Sequence, residues 1–406
     1  MESKNKKSRK NGGGGGGGEV AKRCHVPHDI LHFSILPRLS FKSLSRFKNV
    51  CKAWHDLISN DPFFALEQSR RPSPTSSGFV YLGRCGLKFL SSPNTPVGVP
   101  NPSISFLVSH LIRLVTSTNG LLCLYVHALY FNFLCVLNPA TQEYEAIPQS
   151  RRRCYGVGLA FDPSTSPTYY ALVFPKRDHV EGAVDEVKYR FKVFSSCTGK
   201  WVTSSKKVIV GGFRWRHQTP VFSGGVLHWD CVEYLIWFDP SKDLAGWTLL
   251  PEAVSGRARH AIGASEGQVT CMVMLEDAVE IFVMKDGNGG SKEWSRRYRV
   301  NLERMVERNR QVFADFCNTM RLRNGSLSER LFSRWFIQPL AFEGGDKLYL
   351  WVRTGNGSQK EKERVLRYDS RTGEVTLISN DVSLAPGEDQ IFTYHNSMAR
   401  LPNWSN

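Results

Sequence analysis

Across residues 119–378 one pattern recurs with drift, and it constrains the fold more than any other feature of the chain. Each copy has a Gly-bearing turn, an apolar strand, a second apolar strand ending in an Asx or Ser turn, and a short strand that often carries an aromatic. The copies read NGLLCLYV with FLCVLNPATQEYEAIP; YGVGLAFDP, YALVF and YRFKVFSSCTGKWV; SGGVLHWD with LIWFDPSKDLAGWTLLP; EGQVTCMVML with VEIFVMKDGNGGSKEWSRRYRV; and EGGDKLYLWV with RVLRYDSRTGEVTLI. Turn sites near Asn138, Ser195, Asp239 and Lys285 lie 57, 44 and 46 residues apart, and the next, Asp369, follows after 84. Spacings of this order with four short strands per period are the signature of β-propeller blades. Asn, Asp or Ser bonds the backbone two residues on, Pro fixes φ, and Gly supplies the positive φ that closes a hairpin. The expected fold is mainly β, with residues 79–401 closed into one ring of about six blades. An open ring would leave bare edges, so the strands near 78–90 are expected to complete the last blade with 390–398. Trp201, Trp247 and Trp294, at matching places after the turns, are expected to pack between blades.

Upstream the period changes. In 26–66 the apolar residues recur at helical spacing: Ile30, Leu31, Ile35 and Leu36 form one face, and Leu44, Phe47, Cys51, Trp54, Leu57 and Ile58 form another. Pro27 suits a first turn, Ser40 can cap the next helix, and Asn60-Asp61-Pro62 reads as a stop. Three short helices cannot hide this many apolar side chains in one another, so an exposed apolar face is expected to await a partner. Residues 1–25, KNKKSRK followed by seven glycines, read as a disordered basic tail suited to nuclear import or nucleic-acid contact. The Pro/Ser-rich stretch 69–78 reads as a linker, and 303–335, helical and basic, reads as an insertion or a degenerate blade that lengthens the last gap.

Two resemblances follow from these residues. VPHDIL…ILPRLSFKSLSRFKNVCKAWHDLISNDPFF resembles the F-box, the module by which substrate receptors dock on a Skp-type adaptor in SCF ubiquitin ligases. The likeness is specific in KSLSRFKNVCKAWHDLIS. In the first half Val26-Pro27, Ser34 and Leu39-Ser40 occupy slots where the family shows Leu-Pro, an acidic residue and Leu-Pro. The resemblance places an F-box at 26–68 and implies adaptor contact through Pro27, Ile30, Leu31, Ile35, Leu36, Leu39, Leu44, Val50 and Trp54, with a cullin reached through the adaptor. NGLLCL, LNPATQEYEAIP, GLAFDP, GGVLHW, EIFVMKDGNGGSKEWSRRY and YHNSMARL, in that order, resemble the plant F-box-associated domain, a kelch-like repeat that recruits the protein to be ubiquitinated.

Composition bounds the partners. The 406 residues carry a formal net charge of +16, which favours acidic proteins or nucleic acid. Ten cysteines stand singly with no zinc-type spacing, and residues 1–10 are polar and basic, which points to cytoplasm or nucleus. The apolar run 121–137 is broken by His127 and Asn132 and flanked by turn signals, so it reads as two buried strands rather than a membrane span. Metal ligation by His25 and His28 near Cys24, or by Cys51 near His55, is set aside because Cys51 falls on the helical apolar stripe. No phosphate loop, H-E-x-x-H or G-x-S-x-G appears, so neither a cofactor nor catalysis is expected.

In a propeller each outermost strand returns to the next blade's innermost strand across one rim. The returns contain Arg151, Arg152 and Arg153; then Lys206, Lys207, Arg214, Trp215, Arg216 and His217; then Arg257, Arg259 and His260; and then Arg304, Arg308 and Arg310. This basic rim is expected to receive an acidic or phosphorylated target. The alternatives are a nucleic-acid-binding propeller, supported by charge and tail, and a glycan-binding one, supported by the aromatics.

Overall fold

A computed structural model describes residues 27–70 save 28 and 40, 77–91 save 85, 111–127, 132–148, 156–178, 186–211, 220–254 save 232, 259–286, 292–314, 335–354, 362–384 save 381, and 390–402. Short helices open it and a six-bladed β-propeller follows.

The blades reproduce the repeat. Blade 1 is β3 (Leu111–Thr118), β4 (Leu121–His127), β5 (Asn132–Asn138) and β6 (Glu143–Pro148), so the apolar run 121–137 is two paired strands. Blade 2 is β7 (Gly158–Phe161), β8 (Tyr170–Asp178), β9 (Glu186–Ser195) and β10 (Lys200–Gly211). Blade 3 is β11 (Val221–Ser223), β12 (Val226–Asp230), β13 (Tyr234–Asp239) and β14 (Leu244–Leu249). Blade 4 is β15 (Arg259–Ser265), β16 (Gln268–Met274), β17 (Ala278–Asp286) and β18 (Lys292–Asn301). Blade 5 is β19 (Trp335–Glu343), β20 (Lys347–Thr354), β21 (Lys362–Asp369) and β22 (Val375–Ser379).

The sixth blade joins the two ends of the domain. β1 (Gly78–Gly83) pairs with β2 (Gly86–Ser91) on one side and with β23 (Ile391–Tyr394) on the other. The C-terminal strand is thus innermost in a blade begun more than three hundred residues earlier, as edge protection requires. Innermost strands meet in ring order β3, β7, β11, β15, β19, β23, and β23 meets β3 again. They enclose a channel of about 570 Å³ lined by Thr116, Ser223, Ser265, Gln338 and Thr393 among others.

The core lies between blades, because each sheet is apolar on both faces. Leu159, Phe161 and Leu172 of blade 2 pack on Leu134 and Val136 of blade 1, while Val187, Tyr189 and Phe191 pack on Trp229 and Phe238 of blade 3. Of the three matched tryptophans, Trp201 packs edge-on to Phe174 and the indole N–H of Trp294 donates to Leu249 O in the neighbouring blade. Trp247 departs from the expectation. It lies half-exposed on the outermost strand of its blade, edge-on to Tyr234 of the same blade.

The long gap before blade 5 begins with α4 (Leu302–Arg308), capped by Asn301, whose side chain accepts from Arg304 N–H. Leu302, Met305 and Val306 pack between blades 4 and 5. Asn309 ties the segment to the β21–β22 turn by donating to Gly373 O and accepting from Val375 N–H. Residues 315–334 lie outside the described residues. No helix among the described residues is long and apolar enough to cross a membrane.

Candidate functional site

The N-terminal module is less regular than three helices. Ile30–Ile35 is a π-helical stretch that runs into a 3-10 turn, Leu36–Arg38. Then follow α1 (Phe41–Phe47), α2 (Lys52–Asn60) and α3 (Pro62–Ser69). Asn60 ends α2 as expected, but Asp61-Pro62 also starts α3. Pro62 takes the first turn, and the Asp61 carboxylate accepts from Phe64 N–H at 2.9 Å. Cys51 is a correction. It sits in extended conformation at the N-cap of α2 and is exposed, because the chain turns at 48–50 and breaks the stripe that a continuous helix would have carried.

The nine expected adaptor residues divide by burial. Leu36 and Leu44 are interior, forming a small core with Ile58, Phe64 and Ala65, and Leu31, Leu39 and Trp54 pack partly against it. Trp54 meets Phe47 edge-on at 5.4 Å. Pro27 is exposed, as are Ile30 (48%), Ile35 (39%) and Val50 (59%). Phe33, 65% exposed, belongs with them and was missed by the sequence reading; its spacing of three from Ile30 was the available signal. These side chains are left largely uncovered by the described chain. Burial draws the Lys48 ammonium below the ordinary lysine range.

The module is fastened to the propeller by residues 395–402, which leave β23 and run between the two. Met398 completes the core around Leu36 and Leu44, and its N–H donates to Gln68 Oε1. The Arg400 guanidinium donates to Ser59 O at 2.8 Å. On the other side Asn138 Nδ2 donates to Ser397 O at 3.0 Å and Ala399 O at 2.6 Å, and Leu401 N–H donates to Glu143 Oε2. The segment passes so close to the β3–β4 turn that a Cβ on Gly120, at φ 99°, would lie 2.3 Å from Ser397 Cβ. The helical module therefore sits on the propeller face that carries the β3–β4 and β5–β6 turns. Strand alternation puts the ends of β6, β10, β14 and β18 on the opposite, distal face.

Of the expected target-binding residues, Arg151, Arg152, Arg153, Arg214, Trp215, Arg216 and Arg257 lie outside the described residues. Arg259 opens β15 and is exposed. His260 is 3% exposed, with Nε2 2.7 Å from Asp230 Oδ2, so it is a buried link between blades 3 and 4 rather than part of an open rim. Adjacent residues of a strand point to opposite faces, which separates it from Arg259. Arg308 leaves the rim by lying over Gly373. His25, His28 and Cys24 are outside the described residues, and among those described no group of three or more His, Cys, Asp or Glu is placed to hold a metal.

A helical module bolted to a closed ring makes a two-part protein. Residues 26–66 match the F-box domain. Across a larger span the chain is similar to F-box protein At5g07610 of Arabidopsis thaliana, 27% identical over 307 residues, covering 68% of this chain and 70% of that one. It is likewise similar to F-box protein At5g49610 of the same plant, 27% identical over 280 residues, covering 64% and 75%. Among solved structures it resembles a TolB from Agrobacterium tumefaciens (14% identity, TM-score 0.36, covering 75% of this chain and 89% of that one). It also resembles the β-propeller domain of the Trilobed protease from Pyrococcus furiosus (12%, 0.34, covering 68% and 70%). Likenesses this distant carry no argument; the ring rests on this chain's own strand pairing.

Proposed function

We propose that the protein is a non-catalytic substrate-recognition subunit of an SCF-type ubiquitin ligase. The F-box docks on a Skp-type adaptor, and through it a cullin, while the propeller, of the plant F-box-associated type, holds the protein to be ubiquitinated. The observation that carries this is the match of residues 26–66 to the F-box domain, a module on which Ile30, Phe33, Ile35 and Val50 stand exposed. Such side chains supply the buried anchors of an interface once a partner covers them.

The mechanism is proximity. The strap at 395–402 fixes the F-box against one propeller face, so a target held on the distal face keeps a set orientation to the ubiquitin-conjugating enzyme. The target is an acidic or phosphorylated protein, in keeping with the net charge of +16. The reduced state of Cys51, Cys123, Cys135, Cys197, Cys231 and Cys271 favours action in the cytoplasm or nucleus.

The test is co-purification of the full chain with a Skp-type adaptor. Ile30→Asp and Ile35→Asp should each abolish it while the thermal melt stays unchanged. Adaptor recovery undiminished in both variants would sink the assignment.

A further inference from the structure

The channel inside the ring is walled mostly by polar groups that carry no charge. Each innermost strand, β3, β7, β11, β15, β19 and β23, is hydrogen-bonded to one other strand among the described residues. Its second edge therefore turns backbone N–H and C=O groups toward the lumen. Side chains of the same character accompany them: Thr116, Ser223, Ser265, Gln338 and Thr393 line the channel, and each can both donate and accept. His395, where the strap begins, lines it too. Burial draws its pKa down to about 4, so the ring is neutral at physiological pH.

Two hydroxyls stand out. Ser223 and Ser265 end neighbouring innermost strands, β11 and β15, and both residues are more than nine-tenths buried. Neither Oγ has a hydrogen-bond partner among the described residues. A buried hydroxyl left unpaired is costly, so a molecule that reaches it recovers a bond the empty fold forgoes.

Charge narrows what that molecule can be. The chain has 53 Lys and Arg, yet none lines the channel among the described residues. Its fixed charges are the carboxylates of Asp162, Glu266 and Glu343, at the F-box end. An anion would meet carboxylates and no cation. A cation would find Asp162 Oδ1 accepting from Ser164 and Glu266 paired with Arg297 at 3.3 Å. Ile262 and Leu340 add apolar wall between the polar groups, which suits C–H faces set among hydroxyls. At about 570 Å³ the space lies in the range of small-molecule sites.

We infer that the channel binds a small uncharged polyol, a sugar or a cyclitol, whose hydroxyls pair with Ser223, Ser265, Gln338 and the inner strand edges. This goes beyond the receptor reading and stands without it, because no residue of the adaptor face or the distal face takes part.

The experiment is isothermal titration calorimetry of the full chain with glucose and with myo-inositol. Glucosamine and glucose 6-phosphate are the charged comparisons. At least one neutral compound should bind, tenfold or more tighter than either charged one, and which of the two binds separates sugar from cyclitol. Ser223→Ala/Ser265→Ala removes two unpaired polar groups, so it should melt no lower than the parent while binding at least tenfold more weakly. Gln338→Leu should weaken binding several-fold. Trp247→Ala, which takes away an exposed aromatic on the outside of the ring, should leave affinity unchanged. Absence of binding by both neutral compounds overturns the inference, since the channel then holds water only. So does tighter binding of a charged compound, loss of affinity with Trp247→Ala, or affinity that survives the serine and Gln338 substitutions. Adaptor co-purification is measured separately, so failure here leaves the receptor reading standing and failure there does not touch this one.

Discussion

The F-box module and the propeller solve the same problem with opposite results. Both are made of short elements with apolar faces, and neither element type is stable alone. In the propeller every sheet has a neighbour on each side, so Leu172, Tyr189 and Trp229 vanish between blades and the ring leaves no gap once β23 meets β1. In the module the helices run out of neighbours. Leu36 and Leu44 are covered only because Met398 arrives from the far end of the chain, and Ile30, Phe33, Ile35 and Val50 stay in water. A closed repeat consumes its own apolar surface, whereas a single module keeps a remainder, and that remainder is what it can bind with.

The strongest way to break the comparison is to open the ring. Removing residues 391–406 deletes β23 and the strap together, exposing the β1 edge and the F-box core. Loss of a cooperative melt and recovery in inclusion bodies are expected; a truncated chain that melts like the parent would mean that closure is not what holds the blades.

Next comes the division within the module. Leu44→Ala and Leu36→Ala should each cost about 2–5 kcal/mol of module stability by urea denaturation. Ile30→Asp and Ile35→Asp should change it by no more than about 0.5 kcal/mol while abolishing the proposed adaptor binding. Equal destabilisation by both pairs would erase the distinction between core and face.

Acid sharpens the contrast further. Burial of His228 in blade 3 pushes its pKa down from 6.5 to about 4. The unfolded chain takes up this proton below about 6.5 and the folded chain only near 4. Stability is therefore present above 6.5 and lost as pH falls through that window, by roughly 3 kcal/mol. His228→Phe should lessen the pH dependence of unfolding between 6.5 and 4 without altering adaptor binding, the remainder coming from buried His395, which is likewise drawn down to about 4.

The smallest effect concerns the joint. Asn138→Ala strips partners from Ser397 O and Ala399 O and should cost about 1–3 kcal/mol. Amide exchange in residues 395–402 and in α3 should quicken while blades 2 to 4 keep their protection. Uniform protection throughout would show that the strap does not couple the two parts.

Much of this fold is legible in one dimension. The period of the repeat, the Asx turns at Asn138, Asp239 and Asp369 and the two strands in 121–137 follow from patterns local to the chain, because turn chemistry and side-chain period act over a few residues, while the pairing of β1 with β23 follows from the need to leave no bare edge in the ring. The F-box too is carried by its own run of residues. Periodicity says which side chains share a face but not what will cover that face. Leu36 and Ile35 are sequence neighbours with similar chemistry, and only the arrival of Met398 and the turn of the chain after α1 decide that one is core and the other is surface. His260 looked like one of a basic series until the Asp230 carboxylate was found across the blade interface. Lys176, Arg190 and Lys207 are scattered over more than thirty residues, and strand register with an irregularity in β10 brings them opposite one another. Local chemistry set the elements; long-range contact, which no short window of sequence contains, set which of their side chains meet each other and which are left to meet a partner.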